Sequence, residues 1–237
     1  ILNLARLKLA FSNVGMSKQA LNEAIEYGKV REQFKQPLVN FPMIQEKLAN
    51  SALEIFAAES ATYYTAGILD DLVGSLEDEQ DIVKNLADYQ MDCAINKVYA
   101  SETLDKAVDE ALQIHGGYGY MKEYDVERMY RDARINRLFE GTNEINRLTI
   151  AKAFLANYYK DSSLIDVELD ESADLVTRFT NLSIHLLKIA VSSLPEMDRK
   201  QMDQEQEKLR LIADMLKDIY VLKAAMLRPS EDETKQV

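Results

Sequence analysis

The chain of 237 residues is 47% hydrophobic and contains only 8 glycines and 4 prolines, which favours long helices over a sheet-rich fold. Its formal net charge of -12 at pH 7 argues against non-specific nucleic-acid binding and against docking on an anionic membrane. The single cysteine, Cys93, excludes an internal disulfide, and no apolar run reaches the roughly 18 residues of a membrane span. No group of cysteine, histidine and carboxylate residues has metal-ligand spacing, so we predict no metal site.

Hydrophobic periodicity predicts an all-α fold built on an up-down bundle of four long helices, because short connections join helices into antiparallel neighbours. The four helices are predicted over residues 3–32, about 43–73, about 81–112 and about 142–159. A shorter helix is expected over about 125–134. Two prolines interrupt the pattern between the first two long helices, within residues 34–42.

The character of the chain changes after Lys160. An acidic stretch, residues 161–174, reads as a linker, and two helices are predicted beyond it, over about 172–193 and about 198–227. The last residues, 229–237, are expected to be frayed. We therefore predict two domains, a helical bundle over 1–160 and an acidic linker with a smaller helical domain over 161–237. Because the chain begins with Ile1 inside a predicted helix, we interpret it as the C-terminal piece of a longer protein.

Three short motifs follow one another along the bundle. Arg31-Glu32-Gln33-Phe34 lies where the first helix is predicted to end. The planar guanidinium group of an arginine can donate two parallel hydrogen bonds to phosphate oxygens. Gly116-Gly117-Tyr118-Gly119 would let backbone approach a ligand closely. Glu140 precedes Gly141 and a predicted helix start at Thr142 or Asn143, where a carboxylate could act as a base beside unpaired N–H groups. Taken singly, each motif also has an ordinary structural explanation as a helix end or a turn.

In this order and spacing, the motifs resemble the C-terminal helical domain of the acyl-CoA dehydrogenases over about residues 1–160. Details such as Asn40-Phe41 and Met121-Lys122-Glu123 resemble the very-long-chain branch most, whose extra C-terminal helical domain would correspond to residues 161–237. The resemblance implies FAD-dependent conversion of a fatty acyl-CoA thioester to a trans-2-enoyl-CoA. It also implies a homodimer or dimer of dimers, electron-transfer flavoprotein as electron acceptor, and a location in the bacterial cytoplasm or the eukaryotic mitochondrion.

The same resemblance assigns roles to individual residues. Glu140 would remove the α-proton of the substrate, since the position that carries the base in other branches is Ala5 here. The residues implied for FAD binding are Arg31, Gln33, Phe34, Gln113, Gly116, Gly117, Thr142 and Glu144. Those implied for acyl-CoA binding are Asn3, Arg6, Phe139 and Gly141.

Other functions stay open at this point. A non-catalytic assembly or scaffold protein could retain the fold, although the presence of Glu140 argues against it. An oxygen-reactive acyl-CoA oxidase is a further alternative, and a plain helical bundle would make the three motifs coincidental. The isolated 237 residues are expected to show no turnover and weak or no flavin binding, because the regions that hold the flavin ring in this family are missing.

Two other patterns are interpreted structurally. Arginines recur at every third position, Arg128, Arg131, Arg134 and Arg137, beside Glu127 and Asp132, and we interpret them as ion pairs that fix a short helix rather than as a phosphate site. The apolar faces of the C-terminal helices are interpreted as surfaces for packing within the protein, over a dimer or domain junction. Their acidic surroundings weaken a membrane role.

Overall fold

The computed structural model describes residues 2–76 and 79–228, and helices dominate them. These helices are α1 (Leu2–Val30), α2 (Pro42–Gly74), α3 (Glu79–Leu86), α4 (Gln90–His115), α5 (Asp125–Arg134), α6 (Asn143–Tyr158), α7 (Leu175–Ser192), α8 (Arg199–Gln204) and α9 (Gln206–Leu227). The predicted all-α fold is confirmed. The expectation of fraying over 229–237 lies outside the described residues.

The interruption between α1 and α2 is a small antiparallel hairpin of β1 (Glu32–Gln33) and β2 (Gln36–Pro37), which the sequence analysis did not predict. Its two-residue turn, Phe34-Lys35, has positive φ angles of 49° and 69°. Such angles match the twist of paired strands but are usually taken by glycine or asparagine. The hairpin therefore stores backbone strain beside the first of the three motifs.

Two of the predicted helices are divided, so their continuous form was wrong. The run over 81–112 breaks at the turn Ala87–Tyr89, where the Asn85 amide caps the Asp81 carbonyl oxygen at 2.8 Å. The run over 198–227 breaks at Glu205, where ψ is 37° and the next side chain, Gln206, donates to the carbonyl oxygen of Asp203 at 3.2 Å. Asparagine and glutamine side chains compete here with the helical hydrogen bonds of the backbone.

The chain divides into two compact units, each made of two segments. The first comprises Ile1–Thr62 and Asn96–Asn143. Its larger core joins small residues of α1 to apolar residues of α2, α4 and α5, namely Ala20, Ala24, Ile55, Leu104, Ala107, Val108, Ala111, Ile114, Val126, Met129 and Ala133. The alanines allow close helix approach, and the core fixes the ends of α1, α4 and α5 that carry the motifs.

The second unit comprises Tyr63–Ile95 and Glu144–Val237. Within it, α9 is held by polar contacts: the Tyr220 hydroxyl lies 2.6 Å from Oγ1 of Thr65, and Arg147 Nε donates to Asp214 Oδ1 at 2.8 Å. Leu187 and Val191 of α7 and Leu209, Ile212 and Leu216 of α9 are buried. The two compact units each combine segments that are distant in sequence, so they do not test a division of the chain at one point. The domain boundary after residue 160 therefore stays a prediction.

Candidate active site

The turn that carries Glu140 connects α5 to α6 through a short 3₁₀ segment, Ile135–Arg137. The backbone N–H groups of Leu138 and Phe139 both donate to the carbonyl oxygen of Ile135, at 2.9 and 3.0 Å. The chain then passes through two consecutive positive φ angles, 55° at Glu140 and 86° at Gly141. Gly141 tolerates this conformation, whereas a glutamate adopts it rarely and under strain. Strained residues of this kind concentrate at functional sites.

Two buried cations hold the carbonyl groups of this turn. Arg6 of α1 is 5% exposed, and its Nε donates to the carbonyl oxygen of Glu140 at 3.2 Å. Lys97 of α4 is fully buried, and its Nζ donates to the carbonyl oxygen of Gly141 at 2.9 Å. The structure thus brings together three residues that the sequence analysis selected, Arg6, Glu140 and Gly141.

The remaining residues predicted near Glu140 differ in exposure. The Glu140 side chain is half-buried, as are Asn3 and Thr142, while Phe139 is half-exposed. Helix α6 begins at Asn143, which confirms the predicted helix start, and Glu144 is exposed in its first turn. Glu140 therefore lies on a backbone that is held by hydrogen bonds, shortly before the first residue of α6.

A second feature of the first unit is an open cleft of about 400 Å³ between the end of α1 and the turn after α4. It is lined by four of the predicted cofactor residues, Arg31, Gln33, Gly116 and Gly117, together with Tyr27, Leu38, Ile114, His115, Tyr118 and Met121. One arginine, one side-chain amide and two glycines therefore border the same open space.

Aromatic contacts fix this cleft. The His115 ring stacks on Tyr27 with centroids 4.0 Å apart, and its Nδ1 lies 2.8 Å from the Ala111 carbonyl oxygen. The guanidinium of Arg31 lies over the Tyr118 ring, 5.4 Å from its centroid. Burial raises the pKa of the Tyr27 hydroxyl, and the charge of Arg31 acts in the opposite direction. The cleft thus carries a positioned positive charge next to aromatic faces.

The glycines of the turn after α4 have different surroundings. Gly116 has a φ of 60°, and a Cβ added to Gly116 or Gly117 would meet no atom within 4 Å. A Cβ on Gly119 would instead lie 2.7 Å from the Leu112 carbonyl oxygen. The first two glycines therefore leave the cleft open, and the third permits close packing of the turn on α4.

Four predicted cofactor residues lie outside the lining of this cleft: Thr142 and Glu144, which lie beside Glu140, and Phe34 and Gln113. Phe34 is 87% exposed at the tip of the hairpin and meets Phe41 edge to face at 6.3 Å. Gln113 is exposed on the last turns of α4. The FAD-binding roles assigned to Phe34 and Gln113 remain predictions, because the resemblance places the FAD mainly on a neighbouring subunit.

The sequence analysis missed a buried polar network beside the Glu140 turn. Lys97 Nζ also donates to Asn143 Oδ1 at 2.6 Å, and Ser101 Oγ contacts both polar atoms of the same amide, at 3.1 and 3.3 Å. The spacing of these residues could have predicted the network. Lys97 and Ser101 are four residues apart on the same buried face of α4 as Cys93 and Leu104.

The arginines of α5 and the following 3₁₀ segment form ion pairs, as interpreted, in three of the four cases. Arg128 pairs with Asp125 at 3.1 Å, Arg131 with Glu127 at 3.0 Å, and Arg137 with Asp105 at 2.7 Å. Across residues 2–76 and 79–228, no group of three or more potential ligand residues has the arrangement of a metal site. No helix in the same described ranges has both the length and the apolar character to cross a membrane.

Comparison with known proteins identifies the family. The family model of the acyl-CoA dehydrogenase C-terminal domain matches residues 1–155. A probable acyl-CoA dehydrogenase of Bacillus subtilis is 38% identical over 253 aligned positions, which cover 96% of this chain and 42% of the relative. The very long-chain specific acyl-CoA dehydrogenase of Bos taurus is 40% identical over 151 residues, which cover 64% of this chain and 21% of the relative.

A solved structure gives the same result for the fold. The acyl-CoA dehydrogenase from Bacillus anthracis, complexed with FAD, matches with a TM-score of 0.88 and 40% identity, over all of this chain and 43% of that one. The chain therefore spans about two fifths of the length of the relatives that match it throughout. From the family model, these relatives and the shared fold, we conclude that the chain belongs to the acyl-CoA dehydrogenase family and contains its C-terminal domain.

Proposed function

We propose that the chain is the C-terminal part of an FAD-dependent dehydrogenase that converts a fatty acyl-CoA thioester to a trans-2-enoyl-CoA, with Glu140 as the base. The observation that carries this proposal is the strained turn of Glu140 and Gly141, with positive φ at both residues and the Glu140 carbonyl oxygen held by the buried Arg6. A carboxylate on a backbone fixed in this way has the defined position that proton transfer requires.

The chemistry follows from the acidity of the substrate. An α-proton of a thioester becomes removable when donors polarise the carbonyl oxygen and a carboxylate lies within hydrogen-bond reach of the proton. Glu140 would accept that proton, and Phe139, half-exposed beside it, would pack against the thioester. FAD, when bound, supplies the acceptor for the β-hydride.

The cleft between α1 and the turn after α4 fits part of a flavin dinucleotide. Arg31 offers a charged fork for phosphate oxygens, and Gln33 offers an amide. Gly116 and Gly117 leave open space where side chains would otherwise project. We propose that Arg31, Gln33 and the two glycines contact the diphosphate and adenosine side of FAD held mainly by a neighbouring subunit.

This assignment has consequences for partners. A cofactor shared in this way requires a homodimer or a dimer of dimers, and electron-transfer flavoprotein is the proposed electron acceptor. A long acyl chain is proposed on the similarity to the very-long-chain branch. The proposed location is the cytoplasm in a bacterium and the mitochondrion in a eukaryote.

The first prediction concerns Glu140→Gln in the full-length, FAD-loaded protein, mixed anaerobically with palmitoyl-CoA while flavin absorbance is followed. The wild type should bleach, and the variant should bleach about 100- to 10,000-fold more slowly, because general-base catalysis contributes that much. The matched control is Glu26→Gln, which removes an exposed carboxylate that pairs with Lys29 on α1 and should leave bleaching unchanged.

Two results would contradict the proposal. Rapid bleaching by Glu140→Gln would show that another group removes the α-proton. No bleaching in the wild type with palmitoyl-CoA or butyryl-CoA would instead favour the non-catalytic scaffold function.

A further inference from the structure

Lys97 occupies an unusual position for a lysine. It lies in the middle of α4 with none of its surface exposed, in a stripe that also includes the apolar residues Cys93 and Leu104. Burying an ammonium group costs several kcal/mol unless hydrogen bonds replace its water. The bonds that Lys97 makes therefore indicate what the residue does at this position.

Both acceptors described for the Lys97 ammonium lie on one short segment. Nζ donates to the carbonyl oxygen of Gly141 at 2.9 Å and to Oδ1 of Asn143 at 2.6 Å. These acceptors belong to the residue after Glu140 and to the first residue of α6. One side chain thus fixes the turn and the start of the next helix together.

The other polar groups of α4 complete the attachment. Asn143 Nδ2 donates to Ser101 Oγ at 3.1 Å and to Glu102 Oε1 at 3.2 Å. Since Asn143 is 2% exposed, its amide is oriented by partners on α4 rather than by solvent. Rotation of the Gly141 peptide would break the bond between its carbonyl oxygen and Lys97.

The consequence for Glu140 is geometric. Its own carbonyl is held from α1 by Arg6, and the next carbonyl is held from α4 by Lys97. These two carbonyls belong to the peptide planes before and after Gly141, and the first of these planes includes the Cα of Glu140. The two bonds together therefore fix the backbone directly after Glu140, on which the position of its side chain depends. Loss of Lys97 would remove one restraint from Gly141, a residue that tolerates many backbone angles, and would make it easier for Glu140 to relax from its strained φ.

We propose that Lys97 is a positioning residue for the reaction, which holds the Gly141 peptide so that the Glu140 carboxylate meets the α-carbon of the thioester. This inference rests on the proposed function and adds a residue to it. Lys97 does not need to touch substrate, and its effect passes through the backbone of the turn.

The test uses Lys97→Met, which keeps the length of the side chain and removes its donors, in the FAD-loaded full-length protein. Proton removal is measured alone, as deuterium exchange of the α-protons of a thioester that has sulfur in place of its β-methylene and so has no hydride to transfer. A displacement of about 1 Å can reduce a rate about 100-fold, so we expect a loss of that size with thioester affinity unchanged. Amide hydrogen exchange of residues 138–147 should become faster, independently of turnover.

The matched control is Lys106→Met, on the same helix, where the lysine is 65% exposed and pairs with Glu54. It should leave both exchange measurements at wild-type values. A Lys97→Met protein that folds and exchanges α-protons at the wild-type rate would overturn the proposal. If Glu140→Gln loses α-proton exchange in the same assay while Lys97→Met keeps it, Glu140 is still the base and only the positioning role of Lys97 is wrong.

A second variant covers the case in which Lys97→Met does not fold. Asn143→Ala removes the other acceptor of the network and should reduce α-proton exchange about tenfold with unchanged thioester affinity. Wild-type exchange by Asn143→Ala would then overturn the positioning role. Where both variants fold, the double variant should lose little more than Lys97→Met, because residues in one network act non-additively.

Discussion

At the scale of the residue, three glycines in one turn have three different surroundings. Gly116 requires a positive φ of 60°, Gly117 faces open space, and Gly119 lies against α4. A Cβ on Gly119 would lie 2.7 Å from the Leu112 carbonyl oxygen and 2.9 Å from Cβ of His115. Both neighbours belong to the helix itself, so they have little freedom to move.

We therefore expect Gly119→Ala to lower the free energy of unfolding by about 1–3 kcal/mol, the usual cost of overpacking. Gly117→Ala should change it by no more than about 0.5 kcal/mol and should instead weaken FAD binding, because its methyl group enters the cleft. Denaturant titration of both variants, with and without FAD, tests this. Equal stability of the two variants would mean that the turn after α4 is not closely packed.

The predictability of individual residues also differs. Glu140 could be found because its neighbours form a motif of local sequence. Lys97 could not, since a lysine in a long helix usually extends to solvent, and its acceptors lie 44 and 46 residues further along the chain. The positive φ at Glu140 is likewise not predictable from sequence, because a glutamate rarely adopts it.

At the scale of the element, helices α6 and α9 are joined by an ion network centred on Asp214. Its carboxylate accepts from Arg147 at 2.8 Å, from Arg210 at 3.2 Å and from Lys217 at 3.3 Å. Burial of Asp214 works against ionisation, but the hydrogen bonds and charges of Arg147 and Lys217 outweigh it and lower the pKa of this carboxyl. The network therefore stabilises the fold only while Asp214 is ionised.

We expect Asp214→Asn to lower the free energy of unfolding at pH 7 by about 2 kcal/mol, as for other hydrogen bonds to charged groups. A folded pKa below the unfolded value of about 3.9 means that the contribution is complete above that pH and is lost as pH falls through the folded pKa. The stability difference between wild type and variant should therefore shrink from pH 6 to pH 3. Thermal unfolding at both pH values tests this, with Asp166→Asn, an exposed partner of Lys188, as control.

Hydrophobic periodicity predicted where the helices lie, but it did not predict where two of them are interrupted. The short helix α5 and the start of α6 lie where the sequence predicted them. The breaks at Ala87–Tyr89 and Glu205 were missed because no glycine or proline marks them. Side-chain amides that cap backbone carbonyls produce these breaks, and such bonds depend on local geometry rather than on apolar spacing.

At the scale of the whole molecule, the chain alternates between its two compact units. It contributes Ile1–Thr62 to the first, Tyr63–Ile95 to the second, Asn96–Asn143 to the first again and the rest to the second. Helices α2 and α4 each pass from one unit to the other without a break. Neither unit can therefore be produced as one uninterrupted stretch of sequence.

The exposed turn at Ala87 and Asp88 gives this alternation a practical test. A protease site inserted after Asp88 would yield two pieces, and each unit would contain segments of both. After cleavage of the full-length protein, we expect the pieces to co-elute on gel filtration and to separate only in denaturant. Separation in native buffer would show that packing within the units does not hold them together.

The same arrangement makes this domain suited to division into two separately expressed polypeptides. A fragment that ends at Asp88 contains only part of each core, so it has no complete unit in which to fold alone. Mixing it with its complement would supply the missing segments of both cores at once. Reassembly would then restore the Glu140 turn, which makes the α3–α4 connection a natural place to divide the domain so that this turn forms only when the two pieces bind each other.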